Sequence, residues 1–184
     1  MDRTARVADE WLVLAAQDRN PAAIDRLVEV WHGRLWRHAR NVTGSNEGAD
    51  DVSQDAWVGI LKKLPTLDDP AAFPSWAYRI VTRRSTDWVR REVRHRRRRG
   101  PMPDDVSAPS PGPTERETRE RAQRVLDALQ HLSVDQRALI SMHYLNDLST
   151  TQIADALRIP RGTVKSRLHR ARQNLKPHLQ GVES

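Results

Sequence analysis

The chain predicts an all-α fold of two small helical domains joined by a flexible linker, and three observations carry that expectation. Helical periodicity recurs along most of the 184 residues, whereas β-branched residues nowhere alternate with polar ones over a useful length. Residues 100–113, GPMPDDVSAPSPGP, are dense in Pro, Gly and Ser with almost no bulky apolar side chain, so they build no core. Thr114 with Glu117, Ser133 with Gln136 and Ser149 with Gln152 each have the spacing of a capping box and mark helix starts beyond that stretch. The expected division is a first domain over 1–99, a linker over 100–113 and a second domain over 114–184.

In the first domain, Asn20 and Pro21 open a helix in which Ile24, Leu27, Val28, Trp31 and Leu35 share one stripe, and Gly44 ends it. A second long helix runs from Ser45 to Leu64, where Pro65 stops it. It buries Ala49, Val52, Ala56, Ile60 and Leu61 and carries Asp51 and Asp55 one turn apart on its surface. After the turn-rich PTLDDPAAFP, Pro74 suits the first turn of a helix running through Trp76, Ile80 and Trp88 into RREVRHRRRR.

The second domain begins with a helix turning Ala122, Val125, Leu126, Leu129 and Leu132 inward. The helix opened by Ser133 extends to about Leu145 and presents Leu139, Met142 and Tyr144 to the same core. Ser149 to Leu175, STTQIADALRIPRGTVKSRLHRARQNL, then reads as two short helices around a tight turn, the helix-turn-helix pattern. Pro160 and Gly162 supply the break, with Thr163 as the expected cap of the second helix. At about 3.6 residues per turn, Val164, Leu168, Ala171 and Leu175 fall on one stripe, while Lys165, Ser166, His169, Arg170 and Gln173 point away from it.

Charge points to the partner. The chain carries a net charge of +7, and no acidic residue occurs from Ala156 to Val182, where Arg158, Arg161, Lys165, Arg167, Arg170, Arg172 and Lys176 are all cationic. A solvated basic helix is the plain alternative, but charge, capping and turn together favour a phosphate backbone. A second cationic zone, Arg83, Arg84, Arg90, Arg91, Arg94 and Arg96 to Arg99, is interleaved with Trp88 and His95, as a backbone-tracking, base-stacking surface requires.

Other functions find little support. With no cysteine there is no disulfide, thiolate zinc site or cysteine nucleophile, and the seven histidines form no metal-binding pair. The run Trp11 to Ala16 is too short to span a bilayer and is bracketed by Asp9, Glu10 and Asp18, so a cytoplasmic protein without membrane insertion is expected. Carboxylates suit hard cations, so Asp50, Asp51 and Asp55 raise the comparison with a magnesium nuclease. No histidine stands near to complete such a site, and a solvated face or a basic protein partner suits them better. No catalytic residue, metal or cofactor is expected.

Three segments resemble the small bacterial sigma factors of the extracytoplasmic-function group. ADDVSQDAWVGILKKL and FPSWAYRIVTRRSTDWVRR are similar to that family's region two, and the stretch from Leu129 to Leu175 to its region four. The resemblance implies an RNA polymerase partner, with Asp51, Gln54 and Asp55 docking on the β′ clamp of the core enzyme and the β flap as a further contact. It implies that the loop Leu67 to Phe73, with Arg83, Arg84, Asp87, Trp88 and Arg91, opens the downstream promoter element and holds an unstacked base. It implies that Arg161, Thr163, Lys165, Ser166, His169 and Arg170 read the upstream element in the major groove, and that the linker threads near the RNA exit path. An anti-sigma protein is a further implied partner; control by an appended domain is not expected after Gly181. The rival to this reading is a stand-alone helix-turn-helix regulator that binds duplex DNA without polymerase.

Overall fold

The computed structural model describes residues 3–99 and 123–179. The linker 100–113, the Thr114–Glu117 box, Ala122 and the side chains of Arg96 to Arg99 lie outside the described residues. The first half contains α1 (Arg3–Gln17), α2 (Pro21–Thr43), α3 (Asn46–Lys63) and α4 (Phe73–Arg99), with two single 3₁₀ turns, Leu64–Thr66 and Pro70–Ala72, between α3 and α4. The second half contains α5, described over 123–130, then α6 (Val134–Ile140), which passes into a wider π-type turn at Ser141–Leu145, and α7 (Thr150–Leu157) and α8 (Arg161–Leu175).

Local chemistry places the helix ends. Asn20 accepts a hydrogen bond from the Ala23 amide, and at the other end of α2 Gly44 takes the left-handed conformation at φ 84° that closes the helix cheaply. Ser45 caps α3 through the Gly48 amide. Ser133 with Gln136 and Ser149 with Gln152 form the expected reciprocal boxes at the starts of α6 and α7.

α2, α3 and α4 pack on one another, and α1 lies across α2. Trp31 of α2 sits at the centre, 1% exposed, its ring edge-to-face with Phe73 at 5.2 Å and with Tyr78 at 6.4 Å. Gln17 ties α1 to the first 3₁₀ turn, its amide donating to the carbonyls of Leu64 at 3.0 Å and Leu67 at 2.7 Å. The apolar positions expected on α2 and α3 are all buried or half-buried.

Close approach of α3 and α4 depends on small residues. A β-carbon at Gly48 would lie 2.8 Å from the Trp88 ring and 2.9 Å from Thr43, and one at Gly59 would lie 2.9 Å from the Arg84 guanidinium. Gly48→Ala is expected to destabilise the chain by about 1–3 kcal/mol through overpacking against the rigid indole. Urea unfolding checks this, with the midpoint falling at unchanged slope.

The second half buries Leu129, Leu132, Leu139, Met142, Leu148, Ile153, Ala156, Val164 and Leu168. Three expectations need correction. Tyr144 does not enter this core: the π-type turn rotates it outward and leaves it 46% exposed. Thr163 does not cap α8, because the helix starts two residues earlier at Arg161, after Pro160. The break between α7 and α8 is made by Arg158 in the left-handed conformation, φ 53°, with the Ile159 amide donating back to Ala154 O at 3.1 Å; Gly162 is already inside α8.

The two halves do not stand apart. α6 and the π-type turn pack on α2, and α7 packs on α4. Polar bonds cross the seam: His38 to Ser141 at 2.9 Å, Asn41 to Ser141 at 3.0 Å, and the Tyr78 hydroxyl to Asn146 at 2.9 Å.

Candidate functional site

Three charged faces stand out from this scaffold. The first belongs to α8. Its inward stripe is fully formed, with Val164 at 0%, Leu168 at 4%, Ala171 at 0% and Leu175 at 9% exposure. Lys165, Ser166, His169 and Arg170 therefore face solvent together with Arg161, while Thr163 is half-buried. The Arg161 guanidinium donates to Thr150 at 3.1 Å and so braces α8 against α7, and the Ser166 hydroxyl donates back to the Thr163 carbonyl at 3.0 Å. A cationic helix on a rigid support with its first turns exposed fits the major groove of duplex DNA.

The second face is on α3, where Asp50, Asp51, Gln54 and Asp55 are all exposed, with Val58 beside them at 67% exposure. Three of these carboxylates are steered by neighbouring helices. Trp36 of α2 donates to Asp50 at 2.6 Å, Trp88 of α4 donates to Asp51 at 3.2 Å, and Arg84 of α4 donates to Asp55 at 3.2 Å. Each carboxylate retains acceptor capacity for a basic partner. An acidic ridge with an exposed valine in it suits a protein surface better than a metal ion. Among the described residues, no group of three or more His, Cys, Asp or Glu side chains is placed to hold a metal.

The third face is on α4, and the helical spacing divides its residues. Arg83, Asp87 and Arg91, at successive four-residue steps, are exposed; Arg84 and Trp88, each one position on, are half-buried and turn toward α3. Arg83 and Asp87 of this set border a cleft of about 420 Å³ whose walls also include Arg79 and Arg90 of α4, Asp135 of α6, and Leu157 and Arg158 at the end of α7. Burial and, less strongly, the nearby Arg158 depress the Arg79 pKa. The cleft is cationic because Arg79, Arg83, Arg90 and Arg158 line it against only Asp87 and Asp135. The split between the two sides of α4 follows from its register on α3, a tertiary property that charge counting along the helix does not reveal.

Among the described residues, no helix is long and apolar enough to cross a membrane.

Residues 27–95 match the family described as Sigma-70 region 2, and residues 122–175 the family described as Sigma-70, region 4. The chain is 35% identical over 153 residues to the ECF RNA polymerase sigma factor SigM of Mycobacterium tuberculosis, a match covering 83% of this chain and 75% of that one. It is 32% identical over 159 residues to the ECF RNA polymerase sigma factor SigE of Mycolicibacterium smegmatis, covering 84% of this chain but only 61% of that relative's length. The fold is similar to that of the sigma factor RpoE in its co-crystal structure with the anti-sigma factor NepR from Bartonella quintana. The TM-score is 0.69 at 22% identity, over 85% of this chain and 96% of that one.

Proposed function

The chain belongs to the ECF RNA polymerase sigma factors of the sigma-70 family, proteins that direct RNA polymerase to promoters, and we propose that it does so by dividing three contacts among its three charged faces. The α3 face, Asp51, Gln54 and Asp55, docks on the β′ clamp of the core polymerase. The α8 face, Arg161, Thr163, Lys165, Ser166, His169 and Arg170, reads the upstream promoter element as duplex. The α4 face, Arg83, Asp87 and Arg91, takes the strand opened at the downstream element, with Arg84 and Trp88 at its border fixing it to α3. The second half further meets the β flap, and an anti-sigma protein of the kind named with RpoE is its proposed inhibitor.

The single observation that carries this division is the coexistence of an acidic ridge and two cationic faces on separate helices of one chain. The stand-alone regulator accounts for the α8 face and leaves the other two without a partner. The factor acts by binding energy and DNA deformation, with no bond made or broken by its own side chains, and it works in the cytoplasm, where polymerase and promoters are.

Transcription of genomic DNA by core polymerase, with and without this protein, tests the reading. New RNA 5′ ends sharing two upstream sequence blocks at fixed spacing are expected. Failure to add any start, when a control sigma factor succeeds on the same core enzyme, counts against it.

Asp55→Ala is expected to lower affinity for the core polymerase while leaving duplex binding by α8 unchanged, because the two faces lie on separate helices. The same substitution also releases Arg84, so Arg84→Ala is the control. If Arg84→Ala loses as much polymerase affinity, Asp55 acts only by holding Arg84.

A further inference from the structure

One histidine takes part in the polar bonds that cross the seam between the two halves. His38 of α2 is 0% exposed. Its Nε2 lies 2.8 Å from the Thr82 hydroxyl of α4, and its Nδ1 lies 2.9 Å from the Ser141 hydroxyl of the other half. The Ser141 oxygen already accepts from two side-chain amides: that of Asn41 at 3.0 Å, and that of Asn146 at 3.2 Å, whose NH₂ also donates to the Ser141 carbonyl at 2.8 Å. A hydroxyl oxygen has two acceptor sites and one proton. With both acceptor sites filled, only the Ser141 O–H remains to face Nδ1, so Nδ1 must be the bare, accepting nitrogen. Nε2 then carries the proton and donates to Thr82.

The wiring therefore admits only the neutral imidazole. A second proton on Nδ1 would point at an oxygen with no lone pair free and would bury an unpaired charge. Among the described residues, the groups facing the ring offer no relief. They are Asn41 on its own helix, Thr82 and Tyr78 on α4, and Ser141 and Asn146 across the seam. Tyr78, whose ring meets the imidazole edge-to-face at 5.2 Å, has its pKa raised by burial, so it stays a neutral phenol. The charged groups Arg34, Arg37 and Asp147 act on Tyr78, whereas burial is what lowers the imidazole.

We propose that His38 is a proton-sensitive latch: neutral, it holds the second half against α2 and α4; protonated, it releases that half. Closure keeps Ala156, Leu157 and Arg158 across the cleft from Arg83 and Asp87, on the face assigned to the opened promoter strand. The consequence for promoters rests on the sigma-factor reading; the latch itself does not.

The sign of the pH effect follows from burial, which holds the His38 pKa down at about 3 in the closed form. Once the halves separate, the ring returns toward its free value of about 6.5. Above that pH both forms are neutral and nothing favours opening. Below it only the open form takes up the proton, so the open-to-closed ratio rises by about tenfold between pH 7.5 and pH 5.5.

The chain lacks cysteine, so Arg26→Cys with Asp155→Cys places one dye on each half for energy transfer, with neither polymerase nor DNA present. The expected result is an open-to-closed ratio about tenfold higher at pH 5.5 than at pH 7.5, with helical circular dichroism unchanged. In the same labelled background, His38→Gln, which can bond both hydroxyls but does not titrate, should show a flat response. Nitrogen NMR of the imidazole at pH 7.5 should find the proton on Nε2. Equal ratios at both pH values, the same rise in His38→Gln, loss of helix along with the change, or a proton on Nδ1 would each overturn the latch.

Discussion

Trp31→Ala is expected to lower the unfolding free energy by about 3–5 kcal/mol, the range for deleting a fully buried aromatic side chain. The indole touches Phe73 and Tyr78 at the start of α4, and the Arg34 guanidinium lies 5.0 Å from its ring centre. It thus joins α2 to the helix that carries the third charged face, and neither neighbour can collapse into the space without moving α4. Trp31→Phe separates two contributions. The buried indole N–H has no hydrogen-bond partner among the described residues, so exchanging it for a phenyl ring removes an unsatisfied donor together with part of the packing. Urea or thermal unfolding should show Trp31→Phe losing less than half of what Trp31→Ala loses. Equal losses would mean that the phenyl ring recovers none of the packing, so that a feature peculiar to the indole, rather than buried ring area, sets the cost.

Arg170→Ala should weaken binding to upstream promoter DNA by about 1–3 kcal/mol, a loss of roughly five- to 150-fold in affinity, if its guanidinium meets a base edge. Arg170 lies on the exposed side of α8, between the buried Leu168 and Ala171, so the substitution leaves the core untouched. The helix itself should survive, since alanine is a good helix former. Titration against the promoter site and an unrelated duplex distinguishes the possible roles. A base contact costs affinity for the promoter only. A phosphate contact weakens both alike and lowers the salt slope by about one ion. Unchanged affinity for both would remove Arg170 from the reading face.

Much of the architecture was legible locally. The helix starts at Asn20, Ser45, Ser133 and Ser149 announce themselves because a short polar side chain satisfies an amide only three residues away. The apolar stripe of α8 follows from its periodicity for the same reason of short range. α1 was less legible, since the run Trp11 to Ala16 shows where apolar residues cluster without showing what they meet. In the fold Val13 and Ala16 turn inward, while Trp11 remains 69% exposed. The left-handed turn at Arg158 was hidden because the usual marker of that conformation is glycine or asparagine, and here packing of Ile159 and the bond to Ala154 impose it on an arginine.

The sites divide along the same line. Membership of the family and the cationic character of α4 and α8 were written in residue identity and spacing, since charge, caps and periodicity act over a few residues of chain. The sequence by itself therefore determined an all-helical chain with a helix-turn-helix and two basic faces. Only the tertiary structure decided that Arg84 and Trp88 turn to α3 while Arg83, Asp87 and Arg91 turn outward, because that depends on the register of one helix against another. It alone decided that His38 meets Ser141 across 103 residues of sequence. No local signal encodes such a pairing: it exists only once two separately legible halves have been brought together and their buried polar groups must satisfy one another.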